Sequence, residues 1–441
     1  MEMRKIDFSP VFMGESEIEI VLKTILSGWI TTGPVTKEFE KEVAAYCETR
    51  RVACLSSATS AMEIALRLLG VGPGDEVIVP AYTYTATASI TQHVGAKLVM
   101  IDSRKDDWEM DYDRLEDAIT CRTKVIIPVD LGGILCDYDR IMSIVRRKSS
   151  LFRPGNILQE KIGRVVVLAD SAHTFGGVRN GKRSGVFADF TTFSFHAVKN
   201  LTTAEGGALT WKLPFGDEIA DWKHSGNPGE WFSTVPVIEG ETWNDLLYRL
   251  SMLMSLHGQN KDALAKNALG SWDYDILGPW YKCNMTDVLA SLGLSQLRRF
   301  ESILARRREL ARIYCDGLKG LDVRIPNHFG SGYCSPEEAL AAAGQSASVS
   351  SHHLFLVRLA GRNREQANRV MERMAERGVA TNVHYKPLPM MTAYKALGFD
   401  IADYPNAYAL FENEISLPLH TCLSDEDAEY VISNFREMIQ G

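Results

Sequence analysis

Three polar positions in the first half of the chain stand directly after apolar, β-branched runs. Asp170 closes the run in "VVVLADSAH", with His173 three residues on, and Lys199 follows "FADFTTFSFHAV". Ser57, Ala58 and Thr59 follow "RVACLS", where a helical pattern begins. A carboxylate at a strand end keeps its charge only beside a cation or hydrogen-bond donors, such as a protonated ring nitrogen, a metal or a helix start. A lysine there is a solvated charge or an amine held against a ligand. Small hydroxyl residues at a helix start cap it, and the same free N–H groups bind phosphate. Singly, Asp170 reads as a cap or structural acceptor, Lys199 as a surface charge, and Ser57 or Thr59 as an N-cap. As an ordered set on one sheet they fit pyridoxal phosphate, with the phosphate on the helix start, the aspartate on the pyridinium and the lysine as Schiff-base former. Tyr82 and Tyr84, after "VIVP", either stack on such a ring or fill the core.

The elements that must position these residues follow from hydrophobic periodicity. Strands alternate with helical patterns over residues 50–215, which predicts an open, mainly parallel α/β sheet with ligands beyond the carboxyl ends of its strands. "TKVIIPVDLGG" and "GRVVVLADSAH" read as buried parallel strands, and "FADFTTFSFH" and "GGALTWK" as two more. The Gly206–Gly207 pair is expected to let the chain turn back into the sheet without a clashing side chain. Residues 15–50 read as amphipathic helices broken at "GWITTGP". The spacing from Thr286 to Gly320 predicts one long helix entering a smaller α+β unit, which divides the chain into a large domain over 1–285 and a small one over 286–441. Residues 149–163 and 326–350 look longer than ordinary connections and read as tolerated insertions.

Composition narrows the function classes. With 441 residues, 45% hydrophobic and 24% charged, the chain reads as a soluble globular enzyme. A net charge of −8 argues against a nucleic-acid partner. No apolar run of about 18 residues and no signal-peptide pattern is present, which predicts no membrane span. The eight scattered cysteines lack any CxxC pair and read as reduced thiols in a cytoplasmic protein, with no metal site. There is no Walker lysine and no GxGxxG, so no nucleoside-triphosphate site is indicated.

The stretches "SGWITTGP", "SSATSAM", "GPGDEVIVPAYTYTATA", "ADSAH", "FSFHAVKNLTTAEGG", "YKCNMTD", "LHGQNKDA" and "ISLPLH" closely resemble the PLP-dependent sugar-nucleotide aminotransferases of the DegT/DnrJ/EryC/StrS group. The resemblance runs through nearly the whole chain and is nearest to the UDP-4-amino-4-deoxy-L-arabinose type, which aminates C4 of a UDP-linked keto sugar. It implies the fold type I, aspartate aminotransferase-like architecture: a large mainly parallel sheet domain and a smaller C-terminal α+β domain. It makes Lys199 the Schiff-base lysine and proton shuttle, Asp170 the pyridinium partner and His173 the neighbour of the cofactor's ring oxygen. Tyr84 falls at the ring-stacking position, and Ala58, Thr59 and Ser194 at phosphate positions. Lys282 and Asn284 fall in the segment that reaches the neighbouring subunit's site in a homodimer with shared active sites. Two departures stand out. Ala58 replaces a common glycine, tolerable only where φ is not positive, and Lys282-Cys283-Asn284 replaces a common Asn-Tyr-Arg.

The implied reaction moves the amino group of glutamate to a nucleotide-linked keto sugar, in surface-glycan or amino-sugar biosynthesis. Trp29 and Thr31, His257 and His384 are candidate substrate contacts, set against ordinary structural roles. Three other readings stand beside this one. A PLP-dependent sugar dehydratase would replace the lysine by histidine, and Lys199 is present. A non-catalytic or regulatory sugar-nucleotide-binding protein would be free to lose Lys199 or Asp170. An amino-acid aminotransferase would need an arginine to clamp an α-carboxylate, and the sequence singles none out.

Overall fold

The apolar runs of the first half become the strands of one sheet: β1 (Val52–Leu55), β2 (Glu76–Pro80), β3 (Lys97–Ile101), β4 (Thr123–Ile126) and β5 (Val166–Asp170). A small hairpin of β6 (Val178–Arg179) and β7 (Lys182–Arg183) precedes β8 (Phe190–Ser194) and β9 (Gly207–Trp211). The protein is described by a computed structural model that covers residues 4–219, 235–260, 273–330, 332–343 and 346–440. The sheet order is β1-β9-β8-β5-β4-β2-β3. All neighbours are parallel except β9, which runs against both β1 and β8. Every residue of β1, β2, β4, β5 and β9 is buried, as expected of strands covered by helices on both faces.

Helices α1 (Glu15–Leu26), α2 (Pro34–Tyr46), α3 (Ala58–Leu68) and α4 (Thr85–His93) enter in chain order. The "GWITTGP" stretch breaks the first two apart. Buried Asp287 caps α2 from 251 to 254 residues away, accepting from Gly33 N (2.7 Å), Thr36 N (2.9 Å) and Thr36 Oγ1 (2.6 Å). Asn156 and Gln159, in the longer connection over 149–163, donate to the carbonyls of Leu68 and Leu69 at 3.0 and 2.5 Å. That connection thus braces the C-terminal end of α3, roughly 15 Å of helix away from Ala58.

A second, antiparallel sheet forms from β10 (Val323–Pro326), β11 (Tyr333–Cys334), β12 (Phe355–Leu359) and β13 (Glu414–Leu417), in the order β11-β10-β12-β13. Its own core includes Leu310, Tyr314, Phe355, Val357, Ile415 and Phe435. The run from Thr286 differs from expectation: it is two helices, Asp287–Arg298 and Phe300–Gly317, with Arg299 between them at φ −113°, ψ 13°. The first packs on α1 and α2 and the second under the antiparallel sheet's core. Arg299 at the break holds Glu17 of α1 at 2.8 Å, a tie between distant segments that helical periodicity does not encode. The two sheets meet where Ser351 N donates to Gly133 O (2.9 Å) and Leu354 N to Gly132 O (3.2 Å). Among the described residues no helix is long and apolar enough to cross a membrane.

Candidate active site

A cavity of about 420 Å³ opens at the carboxyl ends of the parallel strands, walled on its other side by the start of the antiparallel sheet. Ala58, Thr59, Tyr84, Asp170, His173, Ser194, Lys199 and His384 all line it.

The N-terminus of α3 forms one wall. Ser57 is its N-cap, with Oγ accepting from Ser60 N at 3.0 Å, so the first-turn N–H groups of Ala58 and Thr59 are left without an intrahelical acceptor. Ala58 does not have positive φ, so alanine fits where glycine was the comparison. The reason for the second glycine of the Gly206–Gly207 pair is close approach. A Cβ on Gly207 would stand 2.3 Å from Ala58 N and Ser57 C. Neither glycine has positive φ; the left-handed residue of that turn is Ala204, at φ 66°.

Asp170 ends β5 and is buried. Oδ2 accepts from Thr87 Oγ1 at 2.7 Å and Oδ1 from Ala172 N at 3.2 Å. Burial pushes its pKa up, while those two hydrogen bonds and the charge on Lys199 pull it back. The loop that carries it is braced by buried Asp130, which accepts from Ser171 Oγ (2.6 Å), Thr174 Oγ1 (3.0 Å) and Tyr138 OH (2.9 Å). Lys199 reaches the same cavity from the turn after β8. Burial lowers its pKa to about 8, and Asp170 opposes the shift. The two side chains do not pair within 4.0 Å, and Nζ has no hydrogen-bond acceptor among the described residues. A buried carboxylate without a cation, an unpaired amine and a helix start face one space. That set fits a ring with a protonated nitrogen, an amine-reactive carbon and a phosphate.

His173 lies between. Its Nδ1 accepts from Gly132 N at 3.3 Å, and a backbone N–H can only donate, so the proton sits on Nε2 and is given to Tyr385 OH at 3.2 Å. Burial and the Lys199 charge hold its pKa well below the usual value, so the ring is neutral. Tyr84 is the N-cap residue of α4 and 59% exposed, with its ring 5.9 Å from that of Tyr385. Tyr82 is core, its hydroxyl donating to His384 O at 2.8 Å.

Other expected site residues do not line this chain's cavity. Trp29 folds over Gly33 and donates from Nε1 to Thr32 O at 3.2 Å, and Thr31 is exposed with its carbonyl accepting from Asp287 N. His257 is an exposed turn residue at φ 60°. Lys282 and Asn284 hydrogen-bond each other on a segment that continues the sheet edge, where Ser56 N donates to Cys283 O at 2.7 Å and Leu55 bridges Asn284. Residues that the sequence reading passed over include Thr87, Tyr385 and His353, whose ring lies 4.4 Å from that of His173. "HHLF" and "HYKPL" are the only signals for the last two. No arginine lines the cavity among the described residues, and no group of metal-ligating side chains occurs among them either.

The profile of the DegT/DnrJ/EryC1/StrS aminotransferase family matches residues 12–436. The chain is 32% identical over 440 residues to the spore coat polysaccharide biosynthesis protein SpsC of Bacillus subtilis strain 168, covering 98% of this chain and 97% of that one. It is 47% identical to the PLP-form structure of the putative sugar aminotransferase Spr1654 from Streptococcus pneumoniae, over 99% of both chains, with a TM-score of 0.86. Helicobacter pylori PseC, an aminotransferase involved in the biosynthesis of pseudoaminic acid, shares the fold at 23% identity over 99% of this chain and 100% of that one, with a TM-score of 0.78.

Proposed function

The chain belongs to the DegT/DnrJ/EryC1/StrS aminotransferase family, and from that premise we propose that it is a pyridoxal-phosphate-dependent sugar aminotransferase moving the amino group of glutamate to C4 of a UDP-linked keto sugar. One observation carries the reading most: Asp170 and Lys199 share a cavity without pairing, next to the open N-terminus of α3. The Ala58 and Thr59 N–H groups, with Ser194 at the end of β8, would hold the phosphate, and Asp170 the ring nitrogen. Bound there, pyridoxal phosphate supplies an electron sink that makes the C–H beside an attached amine acidic.

The chain's own residues supply the rest. Asp170 would stay ionised because the ring nitrogen gives it the cation that Thr87 and Ala172 alone do not. Lys199, with its pKa brought down to about 8, has an appreciable free-amine fraction near neutral pH and would take up and return a proton at Nζ. His173, neutral with its proton on Nε2, orients Tyr385 against the ring site.

We place the protein in the cytoplasm as a homodimer. α1 leaves Ile18, Leu22, Ile25 and Leu26 exposed on successive turns, a stripe suited to a second copy, and Lys282 and Asn284 would serve that copy's site. The two domains are proposed to be 1–285 and 286–441, with the cavity between them. The test is a half-reaction spectrum. The visible band of the lysine-bound cofactor should move to the near-ultraviolet with glutamate and return with a UDP-4-keto sugar, and Lys199→Ala should abolish the cycle. A protein that takes up no cofactor with a visible band would be a binding protein instead.

A further inference from the structure

We propose that Glu414, acting through Ser416, lets the His384 ring meet substrate in either of two hydrogen-bonding roles, donor to a carboxylate or acceptor from a hydroxyl. One site could then hold both substrates of the aminotransferase reading, on which this inference rests.

The geometry is a closed chain. Ser416 Oγ lies 2.5 Å from Glu414 Oε1, and His384 Nδ1 lies 2.8 Å from Ser416 Oγ. Glu414 Oε2 accepts from His384 N at 2.9 Å, so one carboxyl holds both the backbone and, through the serine, the ring. Tyr82 OH donates to His384 O, and Phe8 stacks on the imidazole at 5.6 Å. His384 lines the cavity, and its Nε2 has no protein partner among the described residues.

A serine hydroxyl has one proton, so its direction is set by the carboxyl. With Glu414 ionised, Ser416 donates to it and must accept from His384 Nδ1–H, which leaves a lone pair on Nε2. With Glu414 protonated, the carboxyl O–H points to Ser416, the serine donates to Nδ1, and Nε2 carries the hydrogen. The two states differ by one proton, bound in the second. Two other cavity histidines, His173 and His353, have fixed roles, and a third, His196, is exposed with Nε2 3.5 Å from Glu205. His173 receives a backbone N–H at Nδ1. His353 Nδ1 faces Asn200 Oδ1 at 3.0 Å, while the Asn200 amide donates to Ser351 O. His384 differs in that its chain ends in a group that can serve either way.

Burial raises the Glu414 carboxyl to about 8, so both states are accessible near neutral pH. Arg364 and Arg358 face it and favour its ionised form, and Tyr82, Tyr333 and Tyr385 face it as phenols kept protonated by burial. His384 does not store the proton itself, because burial and Lys199 press its pKa down to about 3. The need for two roles follows from the substrates. Glutamate brings carboxylates to a cavity with no arginine in its lining among the described residues, and a sugar brings uncharged hydroxyls.

The test is calorimetry on the holoenzyme in two buffers of different ionisation enthalpy. At about pH 8.5 glutarate, which has both carboxylates of glutamate and no amine, should take up close to one proton on binding. UDP-N-acetylglucosamine should take up none. Ser416→Ala should remove the uptake and weaken glutarate about tenfold. Uptake that survives undiminished in Ser416→Ala, or is missing in the native protein, overturns the proposal. Nitrogen NMR of 15N-histidine-labelled native protein needs no variant. The His384 signal should change from Nδ1–H to Nε2–H as pH falls through about 8, and one tautomer throughout overturns it. If glutamate shifts the visible band while neither proton signature appears, only this inference fails. If glutamate leaves the band unchanged, the aminotransferase reading fails and takes the inference with it.

Discussion

Asp170 carries the most demanding electrostatics in the cavity: a buried carboxylate with one donor on each oxygen. Thr87 Oγ1 donates to it, so Thr87 must accept from Thr83 Oγ1, 2.9 Å away. Thr87→Val keeps the shape and deletes the donor. A hydrogen bond to a charged group is worth about 1.5–3 kcal/mol, so the ionised form loses roughly that much support. The Asp170 pKa should rise further, cofactor affinity should fall about tenfold or more, and the acid limb of activity should move to higher pH. A spectral titration of cofactor binding reads the affinity; an unchanged value would mean Thr87 is only packing. Lys199, Asp170 and the helix start were legible in the sequence because each follows an apolar strand run. Thr87 and Tyr385 were not. Their roles come from partners 83 and 212 residues away, and nothing in their local pattern marks them.

At the scale of elements, the grip of β9 on α3 decides whether the helix start faces the cavity. Gly207 lies against Ser57 and Ala58 so closely that a Cβ would overlap backbone at 2.3 Å, and backbone cannot rotate aside. Gly207→Ala should therefore push α3 off the sheet, lower Tm by several degrees and weaken cofactor binding through the displaced N–H groups. Gly216→Ala is the control, since no atom lies within 4 Å of its Cβ position and its φ is not positive. Equal stability of the two variants would sink this account of the glycine pair. The alternation of strands and helices was readable from the apolar runs. The break at Arg299 was not, because helical spacing continues through it and the cause is tertiary: one helix serves α1 and α2, the next the antiparallel sheet. The same holds for "GWITTGP", where the turn was evident but its cap, Asp287, lies far along the chain.

Across the whole molecule, buried ionisable groups set how stability follows pH. Burial raises Glu414 to about 8, Glu40 to about 7 and Asp130 to about 6. Each binds a proton in the folded state that the unfolded chain has already lost, so its contribution is full below the unfolded value and disappears as pH rises through the folded one. The buried histidines act in the opposite sense. Burial lowers His384 to about 3 and His328 to about 4, and puts His173, His352 and His353 well below their usual value. Their contribution is present above the unfolded value of about 6.5 and is lost as pH falls. Between about pH 4.5 and 6.5 the five histidines outweigh the three carboxyls, so stability rises with pH. From about pH 7 to 8 the histidines are mostly neutral in both states and the carboxyls dominate. Lys199 opposes them, but most of its change comes above pH 8. Stability should therefore peak between about pH 6.5 and 7 and fall toward pH 8, with Glu414 accounting for roughly 1–2 kcal/mol of the loss. Denaturant midpoints across that range measure it, and Glu414→Gln, which cannot ionise, should flatten the upper limb by that amount. A native protein equally stable at both ends of the window, or a Glu414→Gln variant with an unchanged slope, would show that these carboxyls do not keep their protons in the fold.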